Sequence, residues 1–207
     1  MKTVLSLCDR TGNMVRPWAE AGFRCYCVDV QHPNGSSQIA TGITAIGFDI
    51  LQPTMLGYLR AIQPSIVFAF PPCTHLAASG ARWFKEKGLQ ALIDALTLVE
   101  RCRGICEASG SPWMLENPIG TLATYWRKPD WTFDPCDYGG YLDPPGDAYT
   151  KRTCLWIGSG FNLPDPRPVF PIEGSKMHLV SPSDDRANIR SETPMGFARA
   201  VFEANRQ

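Results

Sequence analysis

Five apolar runs in the first 118 residues each end in groups able to bind or react. Cys8, Asp9, Arg10, Thr11, Gly12 and Asn13 follow the first, and Asp29, Val30, Gln31 and His32 the second. Asp49 and Ile50 follow the third, Phe70, Pro71, Pro72, Cys73, Thr74 and His75 the fourth, and Glu116, Asn117 and Pro118 the fifth. An acid after a second strand can accept both hydroxyls of a ribose, a role open to Asp29. Asp49 can accept the exocyclic amine of adenine. Gly12 lets backbone approach a ligand closely. A glycine series for a pyrophosphate is lacking, so a nucleoside-bearing cofactor fits better than a dinucleotide. Cys73 is a candidate nucleophile: two prolines stiffen its loop, and positive surroundings would favour its reactive thiolate. Glu116 is available as an acid or hydrogen-bond acceptor. Taken singly, each position has an ordinary explanation, since Asp and Gly are common in turns and cysteine is often an inert core residue. Their coincidence at five run ends favours a site.

The intervening pattern supplies the scaffold. Strands are expected at residues 3–8, 24–30, 44–48, 65–70 and 113–115, and helices at 13–21, 54–62 and 85–108. In the last of these helices Leu89, Leu92, Ile93, Leu96 and Val99 recur at helical spacing as the buried face. Alternating strands and helices predict an α/β fold, a doubly wound, mostly parallel sheet with helices on both faces. Ligands bind such sheets outside the carboxyl ends of the strands. From about 128 to 172 the chain is rich in Pro, Gly and aromatics and reads as an irregular insertion with one strand at 153–157. A final helix is expected with Thr193 as cap and Pro194 in its first position. All 207 residues read as one domain.

Composition removes several function classes. The chain is 44% apolar and 19% charged, which excludes a mostly disordered polymer. No apolar run approaches the ~18 residues of a membrane span, and the start turns polar too soon for a secretory leader. Twenty basic and twenty acidic residues cancel, which argues against global charge-driven nucleic-acid binding but not against a local basic patch. Eight cysteines without paired metal-ligand spacing read as free thiols of a reducing, cytoplasmic compartment, with no metal.

The order of these features resembles the cytosine C5 methyltransferases, and the likeness covers most of the chain. Leu7 to Asn13 followed by Ala21-Gly22-Phe23 resembles the first family motif. Phe70-Pro71-Pro72-Cys73 resembles the nucleophile loop, and Glu116-Asn117-Pro118 the Glu-Asn-Val motif. Lys151-Arg152-Thr153 resembles the arginine-bearing strand, and Ser191-Glu192-Thr193-Pro194 the last motif, which folds back onto the cofactor. The resemblance implies a fold of the class I S-adenosylmethionine (SAM) methyltransferase type. It implies a SAM site from Asp9, Thr11, Gly12, Asn13, Asp29, Val30, Asp49, Ile50, Phe70 and Thr193. It makes Cys73, Glu116 and Arg152 catalytic, with Arg152 at oxygen 2 of the base and Lys151 its close rival, and adds Pro72, Asn117 and Lys151 as substrate contacts. Cys73 would add to carbon 6 of cytosine in DNA, flipped out of any duplex. Arg10 departs from a usual glycine, and Pro118 from a valine. Only about residues 158–189 stand where the family carries a recognition region, too few for an independent domain. This resembles short phage-type members and leaves three outcomes open: relaxed target choice, choice by a partner protein, or a cytosine nucleotide or RNA as substrate. A non-catalytic SAM- or nucleic-acid-binding relic is a further alternative, against which the intact Cys73 and Glu116 argue. An amino-methyltransferase is rejected because Phe70-Pro71-Pro72-Cys73 lacks that loop's acid or amide and its aromatic ring.

Other residues carry two readings. Arg82, Trp83 and Phe84 read as an anchor for the next helix before they read as a base-stacking surface. Trp126, Trp131 and Tyr138 read equally as a cleft wall or as packing. Arg186 and Arg190 read as a solvated loop face before they read as phosphate contacts, and His75 as an idle loop histidine before an activator of the thiol.

Overall fold

Val4, Leu5 and Leu7 are wholly buried, and their run forms β1 (Thr3–Leu7) in the computed structural model, which describes residues 2–206. Chain order continues through α1 (Arg16–Glu20), β2 (Arg24–Ala40), β3 (Ile43–Gly47), α2 (Met55–Ile62), β4 (Ile66–Ala69), α3 (Phe84–Ala108), β5 (Trp113–Pro118) and α4 (Leu122–Tyr125). It closes with β6 (Trp131–Phe133), β7 (Thr153–Gly158), α5 (Lys176–Leu179), α6 (Arg186–Ser191) and α7 (Met195–Asn205). One sheet has the order β3-β2-β1-β4-β5-β7-β6. β1 pairs in parallel with both β2 and β4, and β4 with β5, whereas β7 runs antiparallel to β5 and β6. The sheet is therefore mixed but mostly parallel, and compatible with a Rossmann-like fold. Buried side chains of α2 and α3, including Leu59, Val99 and Ile105, pack one face. Trp18 of α1 and Phe197 and Val201 of α7 pack the other. Successive strands leave β1 in opposite directions, so a crevice opens between the β1 and β4 ends. Among the described residues no helix is long and apolar enough to cross a membrane.

Several local expectations are corrected. β2 does not stop at residue 30: beyond Asp29, Ser36, Ser37 and Gln38 pair with Ile46, Ala45 and Thr44, so the chain doubles back antiparallel to β3. In α3, Gly88 has φ 78° and ψ 173° and breaks the helix. Leu89 is 71% and Ile93 46% exposed, so neither belongs to the buried face, which Ala95, Val99, Cys102, Ile105 and Cys106 form. The stretch 128–172 contributes β6 as well as β7 to the sheet. There Trp126 stacks on Trp156 and Phe133 on Phe197, while Tyr138 is buried. Trp126 and Tyr138 are therefore packing residues. Finally, Pro194 is the N-cap of α7, not its first residue. The Gly196 amide donates to Asp147 Oδ2 at 2.7 Å, so a carboxylate far away in sequence does what Thr193 was expected to do.

Candidate functional site

The loop after β1 is organised by one buried carboxylate. Asp9 Oδ2 accepts the Ser6 hydroxyl at 2.7 Å, and Oδ1 accepts the amides of Thr11 and Gly12 at 3.0 and 2.8 Å. This satisfies backbone donors that would otherwise lie unpaired. Asp9 thus shapes the loop from within, and Cys8 and Gly12 adopt positive φ to make the turn. Asn13 Nδ2 donates to the Thr193 carbonyl at 3.4 Å, tying this loop to the segment before α7. Arg10 projects away from the turn and pairs with Asp185 at 3.1 Å.

At the next two strand ends the acids have spare capacity. Asp29 Oδ1 accepts the Gln31 amide at 2.7 Å, and Asp49 Oδ1 the Leu51 amide at 2.9 Å. Their second carboxylate oxygens take no hydrogen bond among the described residues. Burial raises the Asp29 pKa, opposed by the Gln31 amide and by His32. Val30 beside it is 69% exposed. Ile50 differs: its side chain is in the core and its carbonyl accepts Arg101 Nε at 2.7 Å, so it presents only an amide to a ligand.

The Cys73 loop is held from two sides. Its carbonyl accepts the amides of Leu76 and Ala77, both at 2.9 Å. The loop is then stitched to the chain after β5: Ala78 N donates to the Ile119 carbonyl and Thr121 N to the Leu76 carbonyl, each at 2.9 Å. Buried Asn117 donates to the Pro71 carbonyl at 2.9 Å. It is therefore a positioning residue for the Pro-Pro-Cys turn. Pro72 is exposed and Cys73 half-buried.

Glu116, at the end of β5, and Lys151, just before β7, line a narrow cleft with Phe70, Thr153, Ser191 and Thr193. Its enclosed space is about 10 Å³, room for about one water. Burial pushes the Cys73 thiol above its ordinary pKa; the Glu116 carboxylate adds to this, while Lys151 and Arg190 oppose it. Burial also raises Glu116, with Lys151 opposing. The resting pair is therefore biased towards thiol and carboxylic acid. Arg152 is committed elsewhere: it is exposed and donates to Asp134 Oδ2 at 3.0 Å and Thr132 Oγ1 at 3.1 Å. Of the two neighbouring cations, Lys151 is the one in the cleft.

Sequence reasoning undervalued two features. A strap, residues 173–193, is held by Arg10, Asn13 and Ala148–Thr150, with no local sequence signal. Trp83 is 45% exposed with the Arg82 guanidinium 5.0 Å from its ring centroid, and its turn buries no residue, so it does not anchor α3. Among the described residues no cluster of His, Cys, Asp and Glu could hold a metal ion. No protein-family model matches the chain, and no curated protein matches it.

Proposed function

We propose that the protein is a SAM-dependent methyltransferase of the class I type that methylates carbon 5 of cytosine, with DNA as the substrate polymer. The observation that carries this reading is that Glu116 and Lys151 share one cleft, with Asn117 tying the Cys73 loop beside it, on the side of the sheet where the strand ends carry Gly12, Asp29 and Asp49. The residues at those strand ends fit a nucleoside. Asp29 has a carboxylate oxygen to spare for ribose hydroxyls, Val30 offers exposed apolar surface to a base, and Asp49 has an oxygen for an amine. SAM bound there supplies an electrophilic methyl group. Asn117 fixes the Cys73 loop, Phe70 and Thr193 line the cleft, and Lys151 faces oxygen 2 of the base in the role first assigned to Arg152.

The Cys73 thiol passes its proton to solvent, its sulfur adds to carbon 6, and the electron pair of the 5,6 double bond becomes available at carbon 5. Glu116, whose pKa burial raises, shares a proton with ring nitrogen 3 and offsets the charge that addition creates. After carbon 5 has taken the methyl group, loss of its proton and expulsion of Cys73 regenerate the double bond. With room for about one water, the cleft admits a base only when the 191–194 segment shifts.

Labelled SAM, offered with duplex, single-stranded DNA, RNA and cytosine nucleotides in separate incubations, tests the reading. Transfer to a cytosine substrate is expected, abolished in Cys73→Ala, with a denaturation-resistant adduct on a 5-fluorocytosine substrate. A Cys73→Ala protein that transfers methyl as well as the parent overturns the mechanism.

A further inference from the structure

The polar run after Asp29 joins the ends of three strands. Gln31 N donates to Asp29 Oδ1 at 2.7 Å, an Asx turn at the end of the parallel part of β2. The next two residues cross the end of β3 so closely that a Cβ on Gly47 would collide with the carbonyls of His32 and Pro33. The missing side chain is what lets the two backbones meet. Beyond the crossing Ser36, Ser37 and Gln38 pair with β3, so the crossing is held at both ends. From it the half-buried His32 ring reaches back to the β1 loop, where Nε2 lies 3.1 Å from the Asp9 carbonyl oxygen. A carbonyl can only accept, so Nε2 carries a proton and donates. Ile39 of the returning strand supports the same loop: its Cδ1 lies 3.5 Å from where a Cβ on Gly12 would stand.

Resting on the methyl-transfer reading, we infer that His32 is a positioning residue for SAM: it clasps the β1 loop to the ends of β2 and β3 and so fixes the spacing of the groups that hold the adenosine. Those groups stand on three separate strand ends. Gly12 is on the β1 loop, Asp29 at the bend of β2, and Asp49 two residues past Gly47. Asp9 orders its turn from within, but the hydroxyls and amides it accepts all belong to its own segment, Ser6 to Gly12. The backbone tie outward, from Asp9 N to the Val28 carbonyl, is long at 3.4 Å. His32 adds a side-chain tie from the neighbouring strand end to the carbonyl of that same residue. With the clasp made, a ribose at Asp29 and a backbone contact at Gly12 are met together, without first ordering a loose loop. His32 acts through Asp9 and needs no contact with the cofactor itself.

Three full-length proteins test this: the wild type, His32→Leu, which loses the donor, and His32→Gln, whose amide restores an N–H at similar reach. Hydrogen–deuterium exchange without ligand reads the clasp itself. Peptides covering residues 8–13 should exchange faster in His32→Leu and return towards the wild-type rate in His32→Gln. Calorimetric SAM binding reads its purpose. His32→Leu should bind about tenfold more weakly, and His32→Gln within about threefold of wild type. In methyl transfer the KM for SAM should rise with the loss in binding, and kcat at saturating SAM should change far less. His32→Asn, an amide too short to reach Asp9, should show the same losses and serves where His32→Leu fails to fold. Wild-type loop exchange in His32→Leu, or a His32→Gln protein no better than His32→Leu, overturns the clasp. A wild type that binds SAM while His32→Leu binds it equally well overturns the positioning role and leaves the methyl-transfer reading standing. A wild type that binds no SAM overturns both.

Discussion

The β1 loop and the strap that meets it are built by opposite means. The β1 loop is set by Asp9, a buried carboxylate that accepts the hydroxyls of Ser6 and Thr11 and the amides of Thr11 and Gly12. The facing strap is set in its middle by Arg10 and Asp185, whose side chains are 44% and 57% exposed. A buried acceptor that satisfies several donors cannot be removed without leaving them unpaired, whereas an exposed ion pair exchanges readily with water and salt. The β1 loop is thus rigid by construction, and the strap is only pinned. A site with both a preorganised half and a displaceable half can bind one ligand in a fixed pose and exchange another.

The largest expected break in this contrast is Asp9→Ala. It leaves the Thr11 and Gly12 amides and the Ser6 hydroxyl without their partner in a buried turn. Denaturant unfolding should show a loss of about 3 kcal/mol, with SAM binding impaired in parallel. A loss of a few tenths of a kcal/mol would mean that the β1 loop is no more firmly built than the strap.

A sharper probe reads the floor of the cleft through the reactivity of Cys73. Its thiol is raised above the ordinary value, so alkylation followed by peptide mass spectrometry should be slow at neutral pH and should climb as pH rises. Glu116→Gln removes a negative charge that disfavours the thiolate, so the climb should begin at lower pH. Lys151→Gln removes a positive charge that favours it, so the climb should begin at higher pH. Glu116→Gln should also slow methyl transfer while making the thiol more reactive, a divergence expected only if the carboxyl group acts on the base. Equal pH profiles in all three proteins would detach Cys73 from Glu116 and Lys151.

The same contrast explains what was legible in the sequence. Strand ends are marked by apolar runs that stop at polar residues, so Asp29, Asp49, Cys73 and Glu116 could be assigned to one side of the sheet before any coordinates. Asp9 was expected as a cofactor contact and not as the core of its own turn, although Asp9-Arg10-Thr11-Gly12, an Asp three residues before a Gly, is a turn signal. Choosing between Lys151 and Arg152 depends on the phase of β7 against β5 and β6, which pairing at a distance decides. The second half of β2 is polar, with Pro33, Asn34 and Gly35, and reads as a loop; only the free edge of β3 makes it a strand. The caps and clasps were the least legible. Asp147 on Gly196 and Arg10 on Asp185 join residues 49 and 175 positions apart, and nothing near either partner announces the other.

The smallest expected effect tests the pinned wall. Arg10→Ala and Asp185→Ala should each lower stability by no more than about 1 kcal/mol, and the difference from wild type should shrink in high salt. The exchanged pair, Arg10→Asp with Asp185→Arg, should recover the lost stability, because it restores the attraction with the charges reversed. Equal losses at low and high salt, or no recovery in the exchanged pair, would mean that the strap is held in place by something other than this ion pair.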